Sequence, residues 1–450
     1  MQSPYGNQSQ PADSAPSHSN YAEPQASGPS SLQAGMLNEL LRKQLTPDLP
    51  STKIDTQAVT ITQTQANNQA PPLTQAHVDL VEQLLEADTF ERATVHQLLS
   101  DVFHLQQDLY QQLDMPDAWR KQQFIGPNGL VMSPDNCLTS MLDDIRVRSF
   151  IRGIDAAIKD KVAKQANTAQ PKPIHVVYPA CGPFAPLLLP LLAYYRHHST
   201  VDARQLQVTL IDIQPGAVAN LAALVEQLEI DKYIAQINCQ DVTEYQDEAE
   251  SIDLLVLEAM QHGFSREGHM TFARHLAQFM PLSGEILPQE ITIHAQVVDA
   301  NVEYVNQWQG AKQVSFADTK SDALNQRIDL GEVVKINAQT LGSINQINLD
   351  ENTSLLECNT LEIPSLPEDH EPTVIFTTQI KVWGEQWIKE YDSGITHPLP
   401  DQNICINFTP TEDRPGDILL KTGDSVKFYY RLNGLPGFLP MCVDSAQHEG

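Results

Sequence analysis

Apolar residues recur at three- and four-residue intervals through LTQAHVDLVEQLLEADTF, ERATVHQLLSDVFHLQQDLYQQL and SMLDDIRVRSFIRGIDAAIKDKV (140–162), and this spacing predicts helices across 73–165. The third helix ends in a basic turn, which suits a helix C-terminus, and AKQANTAQPKP (163–173) reads as a linker. The pattern then changes. IHVVY (174–178), QVTLID (207–212), IAQINC (234–239) and IDLLVLE (252–258) are short apolar runs, alternating with helical patterns such as AVANLAALVEQL (217–228) and HMTFARHLAQFM (269–280). Buried strands alternating with helices predict βαβ units and an α/β fold with a mostly parallel sheet covered on both faces. After about residue 289, EITIHAQVVDA, GEVVKINAQ, TVIFTTQIKVWG, NICINF and DSVKFYYRL alternate apolar and polar positions between Gly, Pro and Asp. That pattern predicts an antiparallel, barrel-like or sandwich domain over 290–450.

Residues 1–72 are rich in Ser, Gln, Pro, Asn and Ala. Such a stretch buries too little apolar surface to offset its ordering entropy and is expected to be disordered, apart from the amphipathic MLNELLRKQL (36–45). The domain organisation read this way is 1–72, a helical region 73–165, an α/β domain 166–289 and a β domain 290–450.

The chain has 450 residues and a formal net charge of −29. Phosphate binding needs a basic face, so neither nucleic acid nor an anionic membrane is expected as a partner, whereas a cationic one fits. The six cysteines stand singly, with no CxxC pair and no zinc spacing, which favours a reducing compartment and no metal. No secretory signal is visible, and the most apolar run, FAPLLLPLLAYY (184–195), is too short to span a bilayer. A cytoplasmic protein is expected.

In a doubly wound sheet, ligands bind beyond the carboxyl ends of the strands. Four features fall there. Gly182 in YPACGPFAP allows close backbone approach to a ligand, or serves a plain strand–helix turn. Asp212 ends the second strand, where an acid can hold the ribose hydroxyls of a nicotinamide dinucleotide or of S-adenosylmethionine. Asp241 follows the third strand, suited to an adenine amino group or simply to a turn. Glu258 ends an otherwise apolar run and Glu267 follows in the same loop. Two nearby carboxylates resist joint ionisation unless a cation sits between them, so the pair suggests a receptor for a planar cation such as guanidinium. Alternatively, Glu267 is an acid in the first turn of a helix capped by Ser265.

These residues together resemble the protein arginine methyltransferases, class I enzymes that use S-adenosylmethionine. The likeness covers residues 135–440 and is strongest over 140–290. It is carried by LEAMQHGFSREG, with the spacing of the family's two loop glutamates, and by MLDDIRVRSF, similar to the family's helix before the first strand, with one residue fewer after Met-Leu. LIDIQPGAV and SGITHPL add the ribose acid and a Thr-His pair, Thr396 and His397. Tyr178 stands where the first strand usually ends in an acid, and Pro398 where a Trp commonly follows the pair.

The resemblance implies a Rossmann-like methyltransferase domain with N-terminal helices and a C-terminal barrel-like domain. It implies S-adenosyl-L-methionine as cofactor, held by Met141, Arg146, Tyr178, Gly182, Asp212 and Asp241. Glu258, Glu267 and His397 are then the catalytic set, acting on a guanidinium or amine nitrogen of a protein, peptide or small molecule, with a homodimer as the assembly. The alternatives are a small-molecule or peptide natural-product methyltransferase and a degenerate methyltransferase-fold adaptor. A dehydrogenase is disfavoured because the three-glycine fingerprint is missing.

Overall fold

The computed structural model describes residues 72–86, 90–247, 251–299, 327–365, 372–398, 406–407 and 422–443. The segment 36–45, nearly all of 1–72 and most of NICINF lie outside them. All described residues belong to one compact unit, Asp48–Gly450.

The N-terminal part contains α1 (Pro72–Glu86), α2 (Arg92–Gln112), α3 (Asp117–Lys121), a hairpin of β1 (Phe124–Gly126) and β2 (Gly129–Val131), α4 (Pro134–Cys137) and α5 (Asp144–Ala166). The hairpin interrupts a stretch expected to be helical throughout. Its strands are three residues each, too short to show alternation, although Gly-Pro-Asn-Gly (126–129) is a turn signal. Helix α5 starts later than its apolar spacing suggested, because Leu138–Leu142 form a 3-10 turn and Asp143 caps α5 by accepting from the Arg146 N–H at 3.3 Å. It runs on to Ala166, into the expected linker. Val147, Phe150, Ile151, Ile154 and Ile158 form its buried stripe, and Arg92 fastens α2 to it through Asp144 at 2.6 Å.

The α/β part contains β3 (Ile174–Pro179), α6 (Leu189–His198), β4 (Leu206–Asp212), α7 (Pro215–Gln227), β5 (Ile234–Cys239), β6 (Leu254–Val256), α8 (His269–Leu276) and β7 (Glu285–Leu287). All its neighbouring strands pair in parallel, in the order β5-β4-β3-β6-β7. The order reverses between β3 and β6, and such a switch opens a crevice beyond the strand ends. Strand β6 is shorter than the apolar run 252–258, so Glu258 sits two residues past its end. EILPQEITIHA divides: its start closes the parallel sheet as β7, and its remainder opens the next sheet.

The C-terminal part contains β8 (Glu290–Asp299), β9 (Ile328–Asn337), β10 (Gln346–Asp350), β11 (Thr353–Glu362), β12 (Pro372–Trp383), β13 (Gln386–Ile388), β14 (Ile406–Asn407), β15 (Ser425–Arg431) and β16 (Gly437–Val443). They form two antiparallel sheets, β13-β12-β8-β9 with β14 on β12, and β10-β11-β15-β16. Phe376, Phe428, Tyr430 and Phe438 pack between them with ring centroids 4.8–5.4 Å apart. Phe264, from the loop after β6, lies 5.2 Å from Tyr430 and joins this cluster. Among the described residues, no helix is long and apolar enough to cross a membrane.

Candidate functional site

The strand ends, the hairpin β1–β2 and the loop 258–268 enclose a cavity of ≈ 440 Å³. Of the residues singled out from sequence, Arg146, Tyr178, Gly182, Asp212, Asp241, Glu258 and Glu267 all line it. Met141 and His397 do not. Met141 is buried in the core at 1 % exposure, its side chain recruited by packing. His397 stands edge-on to Tyr391, 4.9 Å away, and its loop presents Gly394 and Ile395 to the cavity instead. Thr396 braces that loop from within, its hydroxyl donating to the Lys389 carbonyl at 2.7 Å.

Asp212 receives the Gly182 N–H on one oxygen at 2.9 Å and the Gln214 N–H on the other at 2.8 Å. Burial pushes its carboxyl up to about 6 against these two bonds. Gly182 has φ 67°, a left-handed value that costs glycine little, and the space a Cβ would take is open except for Cys137 at 4.0 Å. Asp241 caps a short 3-10 turn, accepting from the Thr243 N–H at 2.8 Å, and also faces Asn128 of the hairpin. Its carboxylate thus has a turn role as well as a place on the cavity wall.

Arg146 is buried, with Glu258 at 3.3 Å and Asp143 at 3.9 Å, and it also donates to the Ser140 carbonyl. Its Nε–H is buried without a hydrogen bond. Glu258 is raised to about 7, chiefly by burial, with Arg146 pulling it down and Glu267 pushing it further up. Glu267 is also raised by burial, against a 3.0 Å bond from the Gln261 carboxamide. Four carboxylates therefore line the same cavity as one guanidinium, which favours a cationic ligand.

The loop's backbone explains how the two glutamates meet. Gln261 and Ser265 exchange backbone hydrogen bonds, and Gly263, Phe264 and Arg266 all take left-handed φ. For Phe264 and Arg266 that costs about 1–2 kcal/mol each, and burying the Phe264 ring offsets about 2–3 kcal/mol of it. The result turns Glu267 back toward Glu258. The helix-start alternative for Glu267 does not form: α8 begins at His269, and the Ser265 hydroxyl donates to the His262 carbonyl rather than capping.

Sequence reasoning missed the hairpin wall, Gln261 and Cys137. The hairpin is tied down by Leu130 N–H to the Arg266 carbonyl at 2.7 Å, and by the Gly434 N–H to the Pro127 carbonyl at 2.9 Å. The Gln214 carboxamide bonds the Gln122 and Met132 carbonyls on either side of it, each at 2.9 Å. The Pro-Asn-Gly turn was the one signal available, and it says nothing of these partners.

No family model matches the chain, and no curated protein matches it. Solved structures similar to it include a Trypanosoma brucei PRMT1 enzyme–prozyme heterotetramer with AdoHcy, at 15% identity, covering 68% of this chain and 97% of that one with a TM-score of 0.34. Others are Arabidopsis thaliana protein arginine methyltransferase 10 (12% identity, 62% and 84% covered, TM-score 0.32) and PRMT6-SAH (12%, 65% and 96%, TM-score 0.35). What the chain has in its own right is a Rossmann-like parallel sheet, N-terminal helices and two antiparallel C-terminal sheets, with an acidic cavity at the switch point of the parallel one.

Proposed function

We propose that the chain is an S-adenosylmethionine-dependent methyltransferase acting on a guanidinium or amine nitrogen, foremost an arginine side chain of a protein or peptide. The observation that carries this reading is the pair of buried carboxylates, Glu258 and Glu267, in a cavity whose other wall offers ribose and carboxylate partners. Arginine is put first because the glutamate spacing resembles that of the arginine methyltransferases.

The residues present fit the cofactor. The unsatisfied Arg146 Nε–H suits a carboxylate, the open face at Gly182 suits a closely approaching backbone, and Asp212 has acceptor capacity left for ribose hydroxyls. When bound, the cofactor supplies a methyl group already activated on a sulfonium. The chain's own task is position and electrostatics. Glu258 and Glu267 hold the substrate cation and fix one nitrogen in place, and their negative charge keeps that nitrogen's electrons less delocalised. Glu258, poised near neutrality, accepts the proton the nitrogen releases.

Calorimetry with S-adenosylmethionine tests the first half, and mass spectrometry of methylated arginine peptides tests the second. Glu258→Gln is expected to retain cofactor binding and lose transfer; unchanged turnover would sink the clamp. A non-catalytic adaptor gains support from one observation, that Glu258 is already paired with Arg146 of the same chain at 3.3 Å. Cofactor binding with no transfer to any cationic acceptor selects it.

A further inference from the structure

The outer face of α5 carries a second concavity of ≈ 560 Å³, continuous with one of ≈ 380 Å³ through Arg152, Glu385 and Gln386. Arg148 and Arg152 stand one helical turn apart there, and Lys389 reaches in from the loop after β13. The Arg148 guanidinium lies 4.6 Å above the Phe90 ring, and Trp387 forms part of the wall.

Like charges at this spacing are unfavourable on a helix. Burial, and after it the neighbouring Arg152 charge, makes Arg148 hold its proton less tightly than usual. Neither guanidinium, nor the Lys389 ammonium, makes an ion pair with a carboxylate among the described residues. The chain has 57 acidic residues and 28 basic ones. Arg92, Lys159, Lys164 and Arg204 all found carboxylate partners. Arg152 spends one donor on the Leu84 carbonyl at 2.9 Å, and Glu385 and Asp392 share the lining, yet three cations against two acids leave the groove net positive beside two aromatic rings, a complementary surface for an anion.

We propose that this groove is a docking site for an acidic peptide, separate from the central cavity and independent of the chemistry proposed for it. The groove's length selects a peptide over a compact anion. From Arg148 to Lys159 it follows α5 for about 16 Å, the reach of about five extended residues. Arg148 and Arg152 are about 6 Å apart along the axis, which matches side chains two residues apart on an extended strand. The recognised pattern is thus an acid, any residue, and an acid, with Lys389 meeting a further anion. Glu385 and Asp392, which line the groove alongside the cations, disfavour a polyanion as dense as nucleic acid. The groove borders, through Asp392, the loop whose Ser393 hydroxyl and Gly394 N–H donate to Asp143 at 2.6 and 3.0 Å, the same loop that lines the central cavity.

The test is fluorescence anisotropy on the full chain with a labelled decapeptide alternating Glu and Ala. Saturable binding is expected, weakened about tenfold by Arg148→Glu and again by Lys389→Glu, which lies on a different element, and weakened by added salt. Thermal unfolding of both variants should match the parent, since Arg148 is half-buried and Lys389 exposed. Absence of binding overturns the proposal. So does unchanged affinity in both folded variants, or displacement of the probe by free glutamate or inorganic phosphate as readily as by unlabelled peptide.

Discussion

Binding of a cation between Glu258 and Glu267 requires Glu258 to be ionised, and burial holds its carboxyl at about 7 in the free protein. Lowering the pH from about 8.5 to about 5.5 therefore makes each binding event expel a proton first. About 1.5 pH units below the midpoint, that costs about 2 kcal/mol, or about thirtyfold in affinity. The assay is calorimetry of an arginine-containing tripeptide in the presence of S-adenosylhomocysteine, repeated in two buffers of different ionisation enthalpy. About one proton should be released per ligand near pH 6, and almost none near pH 8.5. Glu258→Gln should bind more weakly at high pH and lose most of the pH slope. A slope in the glutamine variant as steep as in the parent, or no proton release near pH 6, would refute the reasoning. The same shift has a signature in stability. The folded chain keeps a proton that the unfolded chain has lost, so this group favours the folded state at low pH. That advantage fades as pH rises from the ordinary 4.5 to about 7. Over that window it amounts to about 3 kcal/mol, and Glu258→Gln removes the slope.

Gly129→Ala would place a Cβ 2.9 Å from the Gly268 N and 3.0 Å from the Arg266 carbonyl, at φ 149°. It should lower stability by about 1–3 kcal/mol and loosen the wall beside Glu267, read by thermal unfolding and by ligand affinity. Asp143→Ala strands the Ser393 hydroxyl, the Gly394 N–H and part of the Arg146 charge. About 3–5 kcal/mol is expected to be lost, with limited proteolysis appearing near residues 389–396. Gln261→Ala removes the 3.0 Å bond to Glu267. Cation affinity should fall several-fold with an acid limb moved to higher pH, because the bond that lowers the Glu267 pKa is gone; an unmoved pH profile would show that Gln261 does not orient it.

The α/β order was readable in the sequence because each strand is an apolar run and each helix an apolar stripe, both local patterns. The same locality placed Asp212 at the end of β4 and Glu258 just past β6, since a polar residue breaking an apolar run marks the sheet's carboxyl edge. Strand β7 and the hairpin β1–β2, at three residues each, carry too few positions to show a period. The strand Thr353–Glu362 is long but does not alternate cleanly, since its register against β15 shifts between Glu357 and Thr360.

Membership of the site divides along the same line. Five of the seven cavity residues lie at or just past strand ends, which converge where a parallel sheet reverses its order; Arg146 comes from α5 and Glu267 from the loop before α8. Arg146, Tyr178, Met141 and His397 all rest on the resemblance alone; the first two line the cavity, whereas Met141 is packed into the core and His397 stands against Tyr391. The sequence by itself determined the parallel sheet and which acids stand at the ends of its strands; the strand order and the place where it reverses came from the tertiary structure. Only the tertiary structure decided that the hairpin walls the cavity, that Gln261 holds Glu267, and that Arg146 and Glu258, 112 positions apart in the chain, meet at 3.3 Å. Those contacts are set by shape and burial among elements distant in sequence, and no local spacing encodes them.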